Sequence, residues 1–409
     1  MNPIAARSGS PFFSIVMPTR NRAHLLRHSL RSALNQTFDD YEIVVSDNYS
    51  DDETPQVVRG LDHPRLRYVR TTEAMSMPDH WEFALDHARG QFVGYLCDDD
   101  AFTAPALARA AEALQKHAAK LIVLGWAKYS GSTSFEAPIR NSVLMPVKPA
   151  GLSWKMSQET LPQMTKCRLS LDLPLMLNSF CQREVLEQVR REAGKLFILA
   201  PDYSFSLMIQ TAVPTWLHLD EPLRLQGEFA ESIGTTQLRN RGQAAQVFLK
   251  EFGNQSFFGR SPMDLYLMSN VLANTFQLCK NRLKGLAGFD IDWVSYFEGC
   301  WIDMATLADY DVEVRDDREV FWRVLGEQSS DIQTKVKDKI NSPEMQARLR
   351  QGWRHPSWQL RVRWNFWRNK SWQYYRGSKY GFSNIFEAAQ LVTKLNGKRP
   401  RTGALEPAG

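Results

Sequence analysis

An α/β fold, with a mostly parallel sheet flanked by helices and a mainly helical C-terminal extension, is what this 409-residue sequence predicts. Three observations carry the prediction. Over the first 126 residues, short apolar runs alternate with amphipathic stretches. The runs are continuously apolar rather than alternating, as strands covered on both faces require. Polar clusters close three of the runs, where ligands of such sheets bind.

The elements follow in order. Phe12–Met17 reads as a strand and Arg22–Asn35 as a helix, with Leu25, Leu26, Leu30, Ala33 and Leu34 on one face and Asn21 as its cap. Tyr41–Ser46 is the second strand. Asp51–Leu61 is the second helix, opened by acids and a proline. Leu66–Arg70, Phe92–Cys97 and Leu121–Trp126 are further strands; Pro78–Ala88 and Ala104–Lys116 are the helices between them. Residues 127–175 read mainly as Ser- and Pro-rich loops. Helices are expected over Gln182–Ala193 and from Pro201 to Gln210, then short strands Thr215–Leu219 and Leu223–Gln226. Ala244–Phe252, Pro262–Lys284 and Trp293–Ala308 are the clearest helices beyond. The domain reading is a flexible terminus over 1–11, a catalytic-type unit over 12–237, a helical region over 238–396 and a disordered tail over 397–409.

Composition sets the outer bounds. Hydrophobic content of 43% and charged content of 23% describe an ordinary globular chain. Five cysteines, Cys97, Cys167, Cys181, Cys279 and Cys300, form no CxxC pair, which argues against zinc and a disulfide framework and for a reducing compartment. Met1–Pro11 lacks the apolar core of a signal peptide, and no window approaches about 18 consecutive apolar residues. A cytoplasmic protein is expected.

The net charge of +5 is local: residues 351–380 hold seven basic residues and no acid, and without them 43 basic residues face 45 acidic ones. That segment interleaves Arg354, Arg361, Arg363, Arg368, Lys370, Arg376 and Lys379 with Trp353, Trp358, Trp364, Phe366, Trp367, Trp372, Tyr374, Tyr375 and Tyr380. Peripheral contact with an anionic membrane face, a sugar-stacking groove and packing in an interface all fit that pattern. Nucleic-acid binding fits it least.

Asp98, Asp99 and Asp100 directly follow the run Phe92–Cys97. Three like charges at the end of a buried strand need compensation, and a divalent cation such as Mn2+ or Mg2+ supplies it while keeping positions open for phosphate oxygens. The triplet points to metal-assisted chemistry on a phosphate ester. The plainer reading is an acidic turn that caps the helix beginning near Ala104.

Four segments occur in one order: Ser14–Asn21 (Ser-Ile-Val-Met-Pro-Thr-Arg-Asn), Tyr41–Asp47 (Tyr-Glu-Ile-Val-Val-Ser-Asp), Ala88–Phe92 (Ala-Arg-Gly-Gln-Phe) leading into the triplet, and Pro201-Asp-Tyr203. Together, over roughly Phe12–Gly234, they resemble the inverting glycosyltransferases of family 2 and their GT-A fold. The resemblance implies transfer of a sugar from a nucleotide-diphosphate sugar, UDP-sugar foremost, to a glycan or lipid-linked acceptor in surface polysaccharide assembly. It implies that Pro18, Thr19, Arg20 and Asn21 border the diphosphate, with Arg22 as a further charge. It also implies that Asp47 accepts from the nucleobase and Asp98 from the ribose or sugar.

Asp99, with Asp100 close behind, would hold the metal, although strand alternation puts Asp98 and Asp100 on one side. Asp202, near a helix start, would be the base that takes the acceptor proton. The chain departs from the family pattern at Cys97, where an Asp is usual, and at His80, where an Asn is frequent. A sugar-1-phosphate nucleotidyltransferase is the rival enzyme, but it needs a glycine-rich N-terminal loop and Phe12–Asn21 has no glycine. A nucleotide-sugar-binding protein without catalysis is the non-enzymatic rival.

Overall fold

The computed structural model describes residues 9–134, 139–147, 151–168, 173–232, 259–309, 312–350 and 372–398. In its sheet β1 (Phe13–Thr19) is flanked in parallel by β2 (Tyr41–Asp47) and β4 (Phe92–Tyr95), with β3 (Leu66–Arg70) parallel to β2 at the edge. The register pairs Thr19 with Asp47 and Val16 with Tyr95. Three residues past those last partners, Thr19 and Asp98 stand level, so the polar ends of three strands meet in one row.

Alternation divides the side chains of β1. Phe13, Ile15 and Met17 pack with Leu26, Leu30 and Ala33 of α1 (Ala23–Leu34) and Leu107, Ala110 and Leu114 of α4 (Ala106–His117). Val16, with Val93 and Tyr95 of β4, faces the opposite layer. That layer holds α3 (Met77–Asp86), α6 (Arg183–Ala193), α7 (Pro201–Ala212) and the helices Met268–Lys280 and Trp293–Asp309. Burial on both faces explains the unbroken apolar runs.

The structure departs from the expected elements in several places. The cap of α1 is not Asn21. Asn21 sits at φ +55° and accepts from the Asp51 N–H through Oδ1 at 2.9 Å, while Asp52 accepts from the Ala23 N–H at 2.8 Å. The second helix, α2 (Thr54–Arg59), is shorter than expected; Asp52 Oδ1 accepts from the Thr54 N–H at 2.9 Å just ahead of it. The fourth helix starts at Ala106 with no side-chain cap, so the triplet does not serve it; β5 (Ala101–Phe102) intervenes.

The segment expected to be loops contains β7 (Ser142–Pro146), β8 (Leu152–Met156) and α5 (Ser157–Met164). An antiparallel strand, β9 (Ser179–Gln182), separates β4 from β6 (Leu121–Ser130), which makes the sheet mixed. The two strands expected after α7 are one, β10 (Thr215–Glu228), parallel to β6 with irregular register around Pro222. Pro222 brings no N–H to the ladder, and the irregularity accommodates it.

In the expected helix Pro262–Lys284, only Met268–Lys280 is α-helical. Ala244–Phe252 and residues 351–371 lie outside the described residues, as do 1–8 and 399–409. Of the remainder of the basic, aromatic segment, part packs into the sheet, while Arg376, Lys379 and Tyr380 stay exposed. Trp372–Arg376 forms β11, antiparallel to β7 at the sheet edge, with the Trp372 and Trp126 rings 5.2 Å apart and Tyr375 buried. The final helix, Ile385–Asn396, buries Ile385, Ala388, Ala389 and Val392 against Leu25, Tyr129, Val143 and Leu225. Residues 372–396 therefore return to the first unit.

Candidate active site at the strand tips

The loop from β1 to α1 and the tip of β4 build the centre of the site. Thr19 Oγ1 donates to Asp98 Oδ2 at 2.8 Å, and Arg22 Nη1 lies 3.1 Å from Asp98 Oδ1. Ser29 Oγ donates to the Asp98 carbonyl at 2.6 Å, which pins the turn against α1. Burial raises the Asp98 carboxyl above its ordinary range, and Arg22 acts against that rise.

Asp99 is held differently. Ser232 Oγ donates to its Oδ2 at 2.6 Å, and Arg22 stands 3.9 Å away. Asp98 and Asp99 line a cleft with His24, His28, Tyr129 and Ser383. Asp100 has both oxygens engaged: Arg224 Nη2 pairs with Oδ2 and the Gly227 N–H donates to Oδ1 at 2.9 Å. Burial still pushes its carboxyl up to about 6. The Cys97 thiol is held protonated by burial and by the three carboxylates that follow it.

Strand β10 reaches this tip only because residue 227 is glycine. A Cβ there would stand 1.8 Å from the Asp99 carbonyl oxygen.

Asp202 sits in the first turn of α7, which Pro201 opens. Its Oδ1 accepts from the Leu177 N–H at 3.3 Å. Burial pushes its carboxyl up to about 6; the Arg224 charge opposes the shift and Asp100 adds to it. Asp98, Asp99, Asp100 and Asp202 thus gather around two arginines, Arg22 and Arg224.

The β2 end is closed. Asp47 has no exposed surface (0%); Oδ1 accepts from the Ser50 N–H at 2.8 Å and Oδ2 from the Tyr68 hydroxyl at 2.5 Å, with Arg70 Nε 3.8 Å away. Next to it, His80 Nε2 lies 2.9 Å from Ser46 Oγ, and burial depresses its pKa to about 4. Asn48 Nδ2 donates to the Met75 carbonyl at 2.8 Å and its Oδ1 accepts from the Met75 N–H at 2.8 Å, tying the Met-rich loop before α3 to this end.

Pro18 lies in β1 paired with Ser46, and Arg20 and Asn21 form the loop after it. The Ala88–Phe92 segment has a structural duty. The Arg89 N–H donates to the buried Glu42 at 2.7 Å and the Gly90 N–H to Ser14 Oγ at 2.7 Å, far from the triplet in the strand direction. Glu228 pairs with Lys128 at 2.5 Å, and His218 lies 3.7 Å from Asp220.

Sequence reasoning missed Arg224, Ser232 and Tyr68. Arg224 left a trace, a lone charge between Leu223 and Leu225 in an apolar strand. Tyr68 and Ser232 left none.

A cation site is consistent with these donors. Among the described residues, Cys97, Asp99 and Asp100 place one ligand atom each within 4.8 Å of one another. With the thiol protonated, the usable donors are carboxylate oxygens, which suit Mg2+ or Mn2+ rather than zinc.

A mixed α/β sheet with its charged residues at the strand tips belongs to the class whose ligand site lies at the carboxyl ends of the strands. Within that class, residues 14–187 match the family Glycosyl transferase family 2, and the chain carries a domain of that family there.

Over 100 residues the chain is 40% identical to the GalNAc(5)-diNAcBac-PP-undecaprenol beta-1,3-glucosyltransferase of Campylobacter jejuni, covering 24% of this chain and 32% of that one. Over 91 residues it is 32% identical to the UDP-Glc:alpha-D-GlcNAc-diphosphoundecaprenol beta-1,3-glucosyltransferase WfgD of Escherichia coli, covering 22% and 36%. The chain thus spans about a third of the length of these curated relatives. A crystal structure of S. aureus TarS 1-349 in complex with UDP-GlcNAc aligns with TM-score 0.43 and 14% identity over 80% of this chain and 90% of that one.

Proposed function

We propose that this chain is an inverting glycosyltransferase that moves a sugar from a nucleoside-diphosphate sugar, UDP-sugar foremost, to a glycan or lipid-linked acceptor in surface polysaccharide assembly. The observation that carries the reading is the convergence of Asp98, Asp99 and Asp202 around Arg22 and Arg224 inside a family 2 domain. The named relatives act on undecaprenol diphosphate-linked glycans, which supports the acceptor class. No helix among the described residues is long and apolar enough to cross a membrane. We assign the protein to the cytoplasmic side, with peripheral contact of the basic, aromatic segment 351–380 to an anionic membrane surface.

In this reading the β1–α1 loop, Pro18 to Asn21, receives the diphosphate with charge from Arg20 and Arg22. Asp98, aimed by Thr19 and Arg22, accepts from a ribose or sugar hydroxyl. Asp47 reads a nucleobase N–H, which must take the place of the Tyr68 hydroxyl at Oδ2. Asp99 is the first residue to hold a divalent cation. Bound there, Mn2+ or Mg2+ would offset the charge that collects on the departing diphosphate.

Asp202 takes the proton of the acceptor hydroxyl as that oxygen bonds to the anomeric carbon and the carbon–phosphate-oxygen bond breaks. A carboxyl near pKa 6 is ionised at neutral pH yet basic enough to accept.

Two measurements test this. Asp202→Asn lowers kcat by about 10²–10⁴-fold while nucleotide binding stays. The wild-type kcat falls as pH drops below about 6, where Asp202 becomes protonated. Turnover of the variant near the wild-type rate removes Asp202 as the base.

A further inference from the structure

We propose that the triplet has divided duties and that Arg224 enforces the division. Arg224 holds Asp100 as a buried latch between the tip of β4 and strand β10, so that Asp99 is the carboxylate left for the cation.

Three observations support the latch. Leu223 and Leu225 belong to the apolar clusters on the α1 side of the sheet. Strand alternation therefore sends Arg224 to the other face, toward Asp202. There its side chain is 3% exposed and its Nη2 meets Asp100 Oδ2. An arginine enclosed this far is costly unless it has a paired anion, and Asp100 provides one.

The second oxygen of Asp100 is also engaged, by the Gly227 N–H at 2.9 Å, so one carboxylate clamps two points of β10 three residues apart. Asp99, in contrast, has a hydroxyl from Ser232 at 2.6 Å and its nearest arginine at 3.9 Å, and it lines the cleft. Arg224 is thus a positioning residue: it neutralises one aspartate, fixes the strand that limits the tip, and presents positive charge to Asp202. The latch itself does not depend on the function proposed above; only the cation arm does.

Thermal melts of the metal-free full chain test the latch. Asp100→Asn and Arg224→Met each leave one buried charge unpaired and lower the Tm by on the order of 5 °C. The double variant, with neither charge, recovers a large part of that loss. Arg224→Lys, which keeps a charge without the planar fork, melts between wild type and Arg224→Met. Asp99→Asn relieves repulsion and leaves the Tm unchanged or raised.

Melts with Mn2+ and UDP then test the division. The stabilising shift, measured from each variant's own baseline, persists in Asp100→Asn and disappears in Asp99→Asn. Unchanged metal-free melting of Asp100→Asn, strictly additive losses in the double variant, or an Asp100→Asn shift lost as fully as that of Asp99→Asn each overturns the inference. A wild-type chain that shows no shift with Mn2+ and UDP counts against the proposed function instead, and the latch then stands or falls on the metal-free melts.

Discussion

His80 shows how one side chain links the site to stability. It is neutral in the fold because burial depresses its pKa from 6.5 to about 4, beside Ser46 and near Asp47. Between those values the unfolded chain takes up a proton that the folded chain refuses. The stability it contributes is therefore complete above pH 6.5 and is lost as pH falls toward 4, on the order of 3 kcal/mol in all. His80→Asn should give a smaller Tm decrease between pH 7 and pH 4.5 than wild type shows; equal decreases would assign the acid sensitivity elsewhere. The raised Asp100 and Asp202 carboxyls act in the opposite sense and are common to both proteins, so the difference isolates His80.

Legibility in the sequence was uneven at this scale. Adjacent aspartates stand out because their repulsion demands an explanation, and Pro201-Asp202 marks a helix start by its own chemistry. Arg224 and Tyr68 do not, because an isolated charge or phenol in a strand has meaning only once the face it lies on is known.

At the scale of elements, the approach of β10 to the tip of β4 is the decisive contact. Gly227→Ala puts a methyl group 1.8 Å from a backbone oxygen that no side-chain rotation can move. Strand β10 must then retreat from Asp99 and give up the Gly227–Asp100 hydrogen bond. We expect a loss of about 1–3 kcal/mol, read by chemical denaturation, together with a fall in transfer rate; wild-type stability would mean that the approach is looser than described.

Helices α1 to α4 and strands β1 to β4 were legible because each carries its own period. Their ends were not, since caps such as Asp52 come from another loop. Strand β9 was missed because four residues, Ser179–Gln182, carry too short a pattern to separate from the helix that follows. Asp220, Glu221 and Pro222 looked like a break between two strands, whereas the sheet absorbs them as an irregularity.

For the whole molecule, the return of the C-terminal segment is the feature that sequence could not reveal. Pairing of β11 with β7 and seating of the last helix on α1 and β10 join residues far apart in the chain, and such contacts have no local signature. Their chemistry is clear once seen. Asn396 Nδ2 donates to the Pro222 carbonyl at 2.9 Å, Asn141 Nδ2 to the Phe382 carbonyl at 2.9 Å, and Phe382 is buried beside Tyr129. Because Ser383 to Ile385 also line the cleft at Asp98 and Asp99, this segment supports the site as well as the fold. Phe382→Ala should cost about 3–5 kcal/mol by chemical denaturation, and a loss below about 1 kcal/mol would show that the segment is not part of the core.

The most direct measurement is calorimetric binding of UDP, GDP and dTDP with and without Mn2+, in the wild-type chain and in Asp99→Asn. The account predicts that Mn2+ tightens one of these nucleotides by about tenfold or more in the wild type and not in the variant. Equal affinity with and without the cation for all three nucleotides, or an undiminished Mn2+ effect in Asp99→Asn, would contradict it.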